Sequence, residues 1–225
     1  MAPRAVVLDV LGTVLDERRG FRTAVTSIEP PAGSPVADAV VFADRWLDRV
    51  SGAVSRIASG DLPWRPWDQV VGDALTELDP GADARGYGAL LRSVGHQLPP
   101  WPDSRAGLEA LRADRRVVAL SNAGIGPLMD CSRAAGLTWD AVLSSEMVRS
   151  AEPDPRVYRF ALDLLGIDPT DVVMVAAHPW DLRGAAAHGM RTAYVRRPGE
   201  GVAEAEDAFD WTADDLVGLA EALTR

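Results

Sequence analysis

The chain contains no lysine: all 23 of its basic residues are arginine. Chemistry that needs an ammonium side chain is therefore closed to it, including a Schiff base. A single cysteine, Cys131, excludes an internal disulfide framework and any multi-cysteine metal site, and fits a small buried helix residue. No apolar run approaches the roughly 18 residues of a membrane span, and the N-terminus has too short an apolar run and acids too early for a secretory signal. The expected location is the cytoplasm. Basic residues are outnumbered by 33 acids, a net charge of −10, which argues against nucleic acid or an anionic membrane as partner. Internal repeats and low-complexity tracts are absent.

What is present is a set of short, continuous apolar runs. "RAVVLDVLG" ends in a turn glycine and reads as a buried parallel strand, as do "RRVVALSNAG", "DVVMVAAHPWD" and "RTAYVRR". "IGPLMDCSRAAGL" and "LRGAAAHGM" have helical spacing between them, so a doubly wound α/β sheet of Rossmann-like type follows. Asp9, Ser121 and Asp181 all fall where a strand gives way to a loop, the carboxyl edge at which open parallel sheets build their sites. Residues 17–100 are different: "PVADAVVFADRWLDRVSGAVSRIA", "PWDQVVGDALTEL" and "ARGYGALLRSVGHQL" have helical periodicity, punctuated by prolines at "IEPPAGSP", "LPWRP" and "QLPPWPD". They predict a helical cap inserted after the first strand into a core of residues 1–16 and 101–225, with hinges near 16–20 and 99–103. The acidic tail from "GEGVAEAEDAFD" onwards predicts a terminal surface helix.

Four segments in order, "LDVLGTVLD", "ALSNAG", "EPDPRVYRFALDLLGI" and "VAAHPWDLRGAAAHGM", resemble the haloacid dehalogenase superfamily, and within it the type II L-2-haloacid dehalogenases. The resemblance spans nearly the whole chain. It implies Asp9 as a nucleophile that forms a covalent ester, Gly12 as the turn residue behind it and Thr13 as the hydroxyl holding it. It implies that Ser121 and Asn122 bind an anionic group, that Tyr158 lies near the nucleophile, and that Asp181 orients the hydrolytic water. Phosphoryl-transferring relatives carry a second aspartate two residues after the nucleophile and bind Mg²⁺ with further acids. Leu11 stands there instead, which favours a reaction at carbon without a cofactor or metal.

Four positions depart from the family pattern. Glu152 occupies the site of a lysine, Leu47 that of a cap arginine, His178 that of an asparagine, and Ala176 that of a serine. Asp9, Glu152 and Asp181 together should repel, so one must take up a proton or find a positive partner. Arg149, Arg45, a metal ion or an ammonium group on the substrate are the candidates. His178 reads equally as a general base and as a structural residue; His96 and His188 read as structural. Trp64, Trp67 and Trp101, set among prolines, read as cap and hinge packing, with stacking on a substrate as the alternative.

The charge reversal favours displacement of a leaving group from an sp³ carbon of a small, amine-bearing substrate, with Glu152 receiving the amine and ring closure as one outcome. The alternatives are a 2-haloacid dehalogenase with arginines in the cationic roles, and a non-catalytic partner subunit. The resemblance also implies a homodimer, and a partner-enzyme complex is a further expectation.

Overall fold

The computed structural model describes residues 3–29, 36 and 38–224; the proline cluster at 28–35 falls mostly outside them. Six parallel strands form one sheet in the order β3-β2-β1-β4-β5-β6. They are β1 Ala5–Asp9, β2 Arg116–Ser121, β3 Ala141–Ser144, β4 Val172–Ala176, β5 Arg191–Val195 and β6 Trp211–Ala213. Every residue of β1 and β4 is buried, as their unbroken apolar runs require of central strands covered on both faces. The chain leaves β1 for β2 on one side and later returns to β4 on the other. This reversal opens a crevice beyond the carboxyl ends of β1 and β4.

Helices α1 Glu17–Thr26, α2 Ala39–Ala58, α3 Trp67–Leu78 and α4 Gly88–Arg92 lie between β1 and β2. Trp46 of α2 packs its ring 4.7 Å from Phe21 of α1 and donates its indole N–H to the Val71 carbonyl of α3 at 3.0 Å. These aromatic contacts are continuous with one face of the sheet in a single apolar core, which takes in Val6, Leu8, Trp46 and Leu75. Where the chain leaves and re-enters the sheet, its two crossings are hydrogen-bonded together. Asp16 N–H donates to Pro99 O at 2.8 Å, Trp101 Nε1 to Gly12 O at 2.9 Å, and Ser104 Oγ to Val14 O at 2.6 Å.

The other helices are α5 Ser104–Leu111, α6 Ile125–Ala135, α7 Pro155–Leu165, α8 Pro179–Ala186 and α9 Leu216–Ala222. Gly136 and Gly166 end α6 and α7 in the left-handed conformation, where a side chain would be strained. The terminal helix α9 is present, but it is only partly a surface element: Leu216 and Leu219 are fully buried. Among the described residues, no helix is long and apolar enough to cross a membrane.

Candidate active site

A cavity of about 460 Å³ opens where the crevice meets the helices after β1. Asp9, Leu11, Asn122, Glu152 and His178 all line it. Asp9 is the last residue of β1, and its Oδ2 accepts hydrogen bonds from Thr13 Oγ1 at 2.6 Å and from His178 Nδ1 at 2.8 Å. Thr13 is itself fixed, accepting from the Ala177 N–H at 2.8 Å. With Oδ2 held from two sides, Oδ1 is the oxygen that no described residue engages.

The opposite wall belongs to α2, whose Val50, Ser51, Val54 and Ser55 face inward. Pairs at i and i+4 share one side of a helix, so this spacing puts two apolar and two hydroxyl groups on the same wall. Trp67 and Trp180 complete it, with Glu17 and Glu200.

Behind the cavity, Tyr158 donates its hydroxyl to Asp181 Oδ1 at 2.6 Å. A Cβ at position 184 would lie 2.6 Å from that hydroxyl, so only glycine lets α8 pack this closely on the tyrosine. Asn122 Oδ1 accepts the Glu152 N–H at 2.8 Å, which leaves the Asn122 amide N–H groups to the cavity. Glu152 Oε1 and Asp181 Oδ2 are buried without a hydrogen-bond partner.

Several sequence-based expectations need correction. Ser121 is fully buried beneath the site, its hydroxyl accepting the Ala123 N–H at 3.2 Å, so it shapes the turn and does not line the cavity. Leu47 is buried in the apolar core, because the register of α2 turns it away from the cavity. The same register leaves Arg45 exposed. Arg149 is also exposed, at a left-handed position that sends its guanidinium 5.7 Å over the Trp64 ring. Neither arginine reaches the cavity, and among the described residues no other arginine lines it. Trp67 forms part of the wall, whereas Trp64 and Trp101 do not.

The carboxylates are relieved in two ways. Burial, then the charges of Asp181 and Asp9, hold the Glu152 carboxyl well above the usual carboxylate range. Burial and the Asp9 charge push Asp181 up to about 7 against a hydrogen bond from Tyr158 that works the other way. Burial and the neighbouring Glu200 push Glu17 up to about 8. Protons thus remove charge around Asp9. Against Asp9 stands His178, its Nδ1 on Asp9 and its Nε2 3.1 Å from Glu200 Oε2. Burial opposes a charge on His178, but the hydrogen bonds to the two carboxylates outweigh it and hold the imidazole well above its ordinary range.

Glu17 and Glu200 escaped the sequence reading. Glu17 begins α1 directly after its cap Asp16, and Glu200 follows β5 in "RPGEG". Both lie at the carboxyl edge of the sheet, the one signal that could have pointed to them.

These shifts share one sign. A group that binds its proton more tightly folded than unfolded contributes stability below its unfolded pKa and loses it as pH rises through the folded value. For Glu17 and Asp181 that interval runs from ordinary carboxylate values up to about 8 and about 7. Calorimetry at constant ionic strength is expected to show the melting temperature falling by roughly 5 °C or more between pH 5 and pH 8. A midpoint that rises over that interval would contradict these assignments.

A family model described as haloacid dehalogenase-like hydrolase matches residues 3–189. The chain belongs to the haloacid dehalogenase-like hydrolases. Among curated relatives, (S)-2-haloacid dehalogenase 4A of Burkholderia cepacia is 30% identical over 199 residues, covering 87% of this chain and 84% of its own. The (S)-2-haloacid dehalogenase of Xanthobacter autotrophicus is 34% identical over 201 residues, covering 86% and 75%. An L-2-haloacid dehalogenase of known crystal structure superposes with a TM-score of 0.86 at 33% identity, covering 98% of this chain and 99% of its own. This haloacid dehalogenase-like hydrolase therefore shares its fold with enzymes that cleave carbon–halogen bonds. Among its described residues, no group of three or more His, Cys, Asp and Glu is arranged to hold a metal ion.

Proposed function

We propose that the protein hydrolyses a small 2-haloacid to the 2-hydroxy acid through an ester on Asp9. The observation that carries the reading is Asp9 itself, a cavity-lining carboxylate with one oxygen anchored by Thr13 and His178 and the other unengaged. In the first step Oδ1 attacks C2 from behind the carbon–halogen bond, and the halide leaves with the bonding electrons. In the second, water adds to the Asp9 carboxyl carbon, and the ester C–O bond breaks. The departing alkoxide takes a proton from Asp181 to leave as the alcohol, and the Asp9 carboxyl gives up its remaining proton to solvent, which regenerates the carboxylate. Asp181, positioned by Tyr158, is the group that takes the water proton, and a folded-state pKa of about 7 suits a base working near neutrality.

Donors for the substrate carboxylate come from Asn122, from the protonated Glu152 and from the hydroxyls of Ser51 and Ser55. Leu11 supports chemistry at carbon, since no second acid stands beside the nucleophile to protonate a phosphate-ester leaving group. Kinship with 2-haloacid dehalogenases favours an anionic substrate over the amine suggested by the sequence. One observation keeps the amine as a second reading: Glu17, Glu152 and Glu200 line the cavity, and among the described residues no arginine does.

Halide release from each enantiomer of 2-chloropropionate, and from 3-chloropropylamine, tests the two readings. Release from one enantiomer only, with inversion at C2, is the expected result. Turnover of the amine alone would replace the first reading by the second.

A further inference from the structure

We infer that His178, seated by Glu200, is the counter-cation of the nucleophile and stands in for the lysine that the family pattern places at position 152. The inference rests on Asp9 being the nucleophile and concerns what balances its charge.

The two ring contacts carry it. Nδ1 faces Asp9 Oδ2 at 2.8 Å and Nε2 faces Glu200 Oε2 at 3.1 Å. An ionised carboxylate only accepts hydrogen bonds, and a neutral imidazole has one N–H and one bare nitrogen. With both carboxylates ionised, only the imidazolium satisfies both contacts at once. Two carboxylate hydrogen bonds to a histidine also outweigh a burial that is incomplete, because about 18% of the His178 side chain remains exposed.

The surroundings are built to this ring. Gly12, at φ +77°, has no Cβ to collide with it: one would lie 2.8 Å from His178 Cε1 and 3.0 Å from Glu200 Cδ. Gly201 fits against Pro179, where a Cβ would lie 2.7 Å from Cδ. The loop that delivers Glu200 is tied down on each side. Arg197 donates to Thr13 O at 2.9 Å and pairs with Asp103 at 2.7 Å, and Tyr194 donates its hydroxyl to Gly201 O at 2.6 Å. Glu200 is thereby preorganised, a positioning residue acting through His178.

The titratable groups facing His178 are Asp9 of β1, Glu17 of α1, Glu152, Asp181 of α8 and Glu200. None is a cation. The positive charge thus stands at position 178 and not at position 152, where burial and the neighbouring acids hold the Glu152 carboxyl towards its protonated form.

The test is ¹⁵N NMR of the histidine rings in the wild-type protein, with His178→Asn identifying the His178 signals among the three histidines and Glu200→Gln as the second variant. Both His178 nitrogens are expected at imidazolium shifts at pH 7.5, with a midpoint above the ordinary imidazole range that falls in Glu200→Gln. A neutral tautomer at pH 7, or a midpoint unmoved by Glu200→Gln, would overturn the inference. Because the readout needs no turnover, it separates failure here from failure of the proposed reaction. On an active substrate, Glu200→Gln should also move the alkaline limb of the kcat/KM profile to lower pH, which a merely structural role would not do.

Discussion

Asp9→Asn is expected to abolish halide release, lowering turnover by at least about a thousandfold, and to prevent any covalent adduct. An amide oxygen is a far poorer nucleophile than a carboxylate, and the ester route loses its first step altogether. The shape of the site should survive, since asparagine is isosteric and still offers an oxygen to Thr13 and His178. The variant should therefore purify as a folded protein with unchanged circular dichroism, so that the loss is chemical. Halide release measured at high enzyme concentration checks it. Activity within tenfold of wild type would mean that water is activated directly and that Asp9 serves only to place the substrate.

Moving the cation back is the second large effect. His178→Asn removes the one basic side chain among the described residues lining the cavity and should cost about a hundredfold in kcat/KM, or roughly 2.7 kcal/mol of transition-state stabilisation. It leaves Asp9 beside Glu200, Glu17, Glu152 and Asp181 with no positive charge among them. Combining it with Glu152→Lys places an ammonium within the field of Asp9 and Asp181, and should recover most of the loss. Such a lysine would be buried but paired, the condition under which a buried charge is tolerated. The double-mutant cycle is the measurement: the two effects should be strongly non-additive, in the direction of rescue. A double variant carrying the sum of two losses would show that His178 acts by shape and not by charge.

The parts of this protein that could be read from its sequence are those whose cause is local. β1, β2, β4 and β5 announce themselves as unbroken apolar runs because both of their faces are covered. β3 and β6 carry no such signal: one is four residues at the edge of the sheet, half of it buried, and the other is three partly exposed residues. The motif residues Asp9, Leu11, Asn122, Glu152 and His178 meet in one cavity, while Arg45 and Arg149 stay outside it.

The missing cation shows where local reading ends. His178 was visible as a histidine at a strand end, but its charge depends on Asp9, 169 positions away, and on Glu200, which a separate loop brings in. The α2 wall had a legible helical period, yet which face meets the cavity is decided by how Phe21 and Trp46 lock α1 and α2 together. Even the conflict among the acids, plain in the sequence, is met by tertiary structure: burial holds Glu152 towards its protonated form, and His178 bridges Asp9 and Glu200.

The central claim, an ester through Asp9, is tested most directly by a single turnover in ¹⁸O-water with enzyme in excess over 2-chloropropionate, followed by mass spectrometry of the product and of the peptide containing Asp9. Water attacks the carboxyl carbon, so the heavy oxygen is expected in Asp9 and the first-formed 2-hydroxy acid should carry ordinary oxygen. Heavy oxygen appearing directly in the product, with an unlabelled Asp9 peptide, would contradict the covalent mechanism.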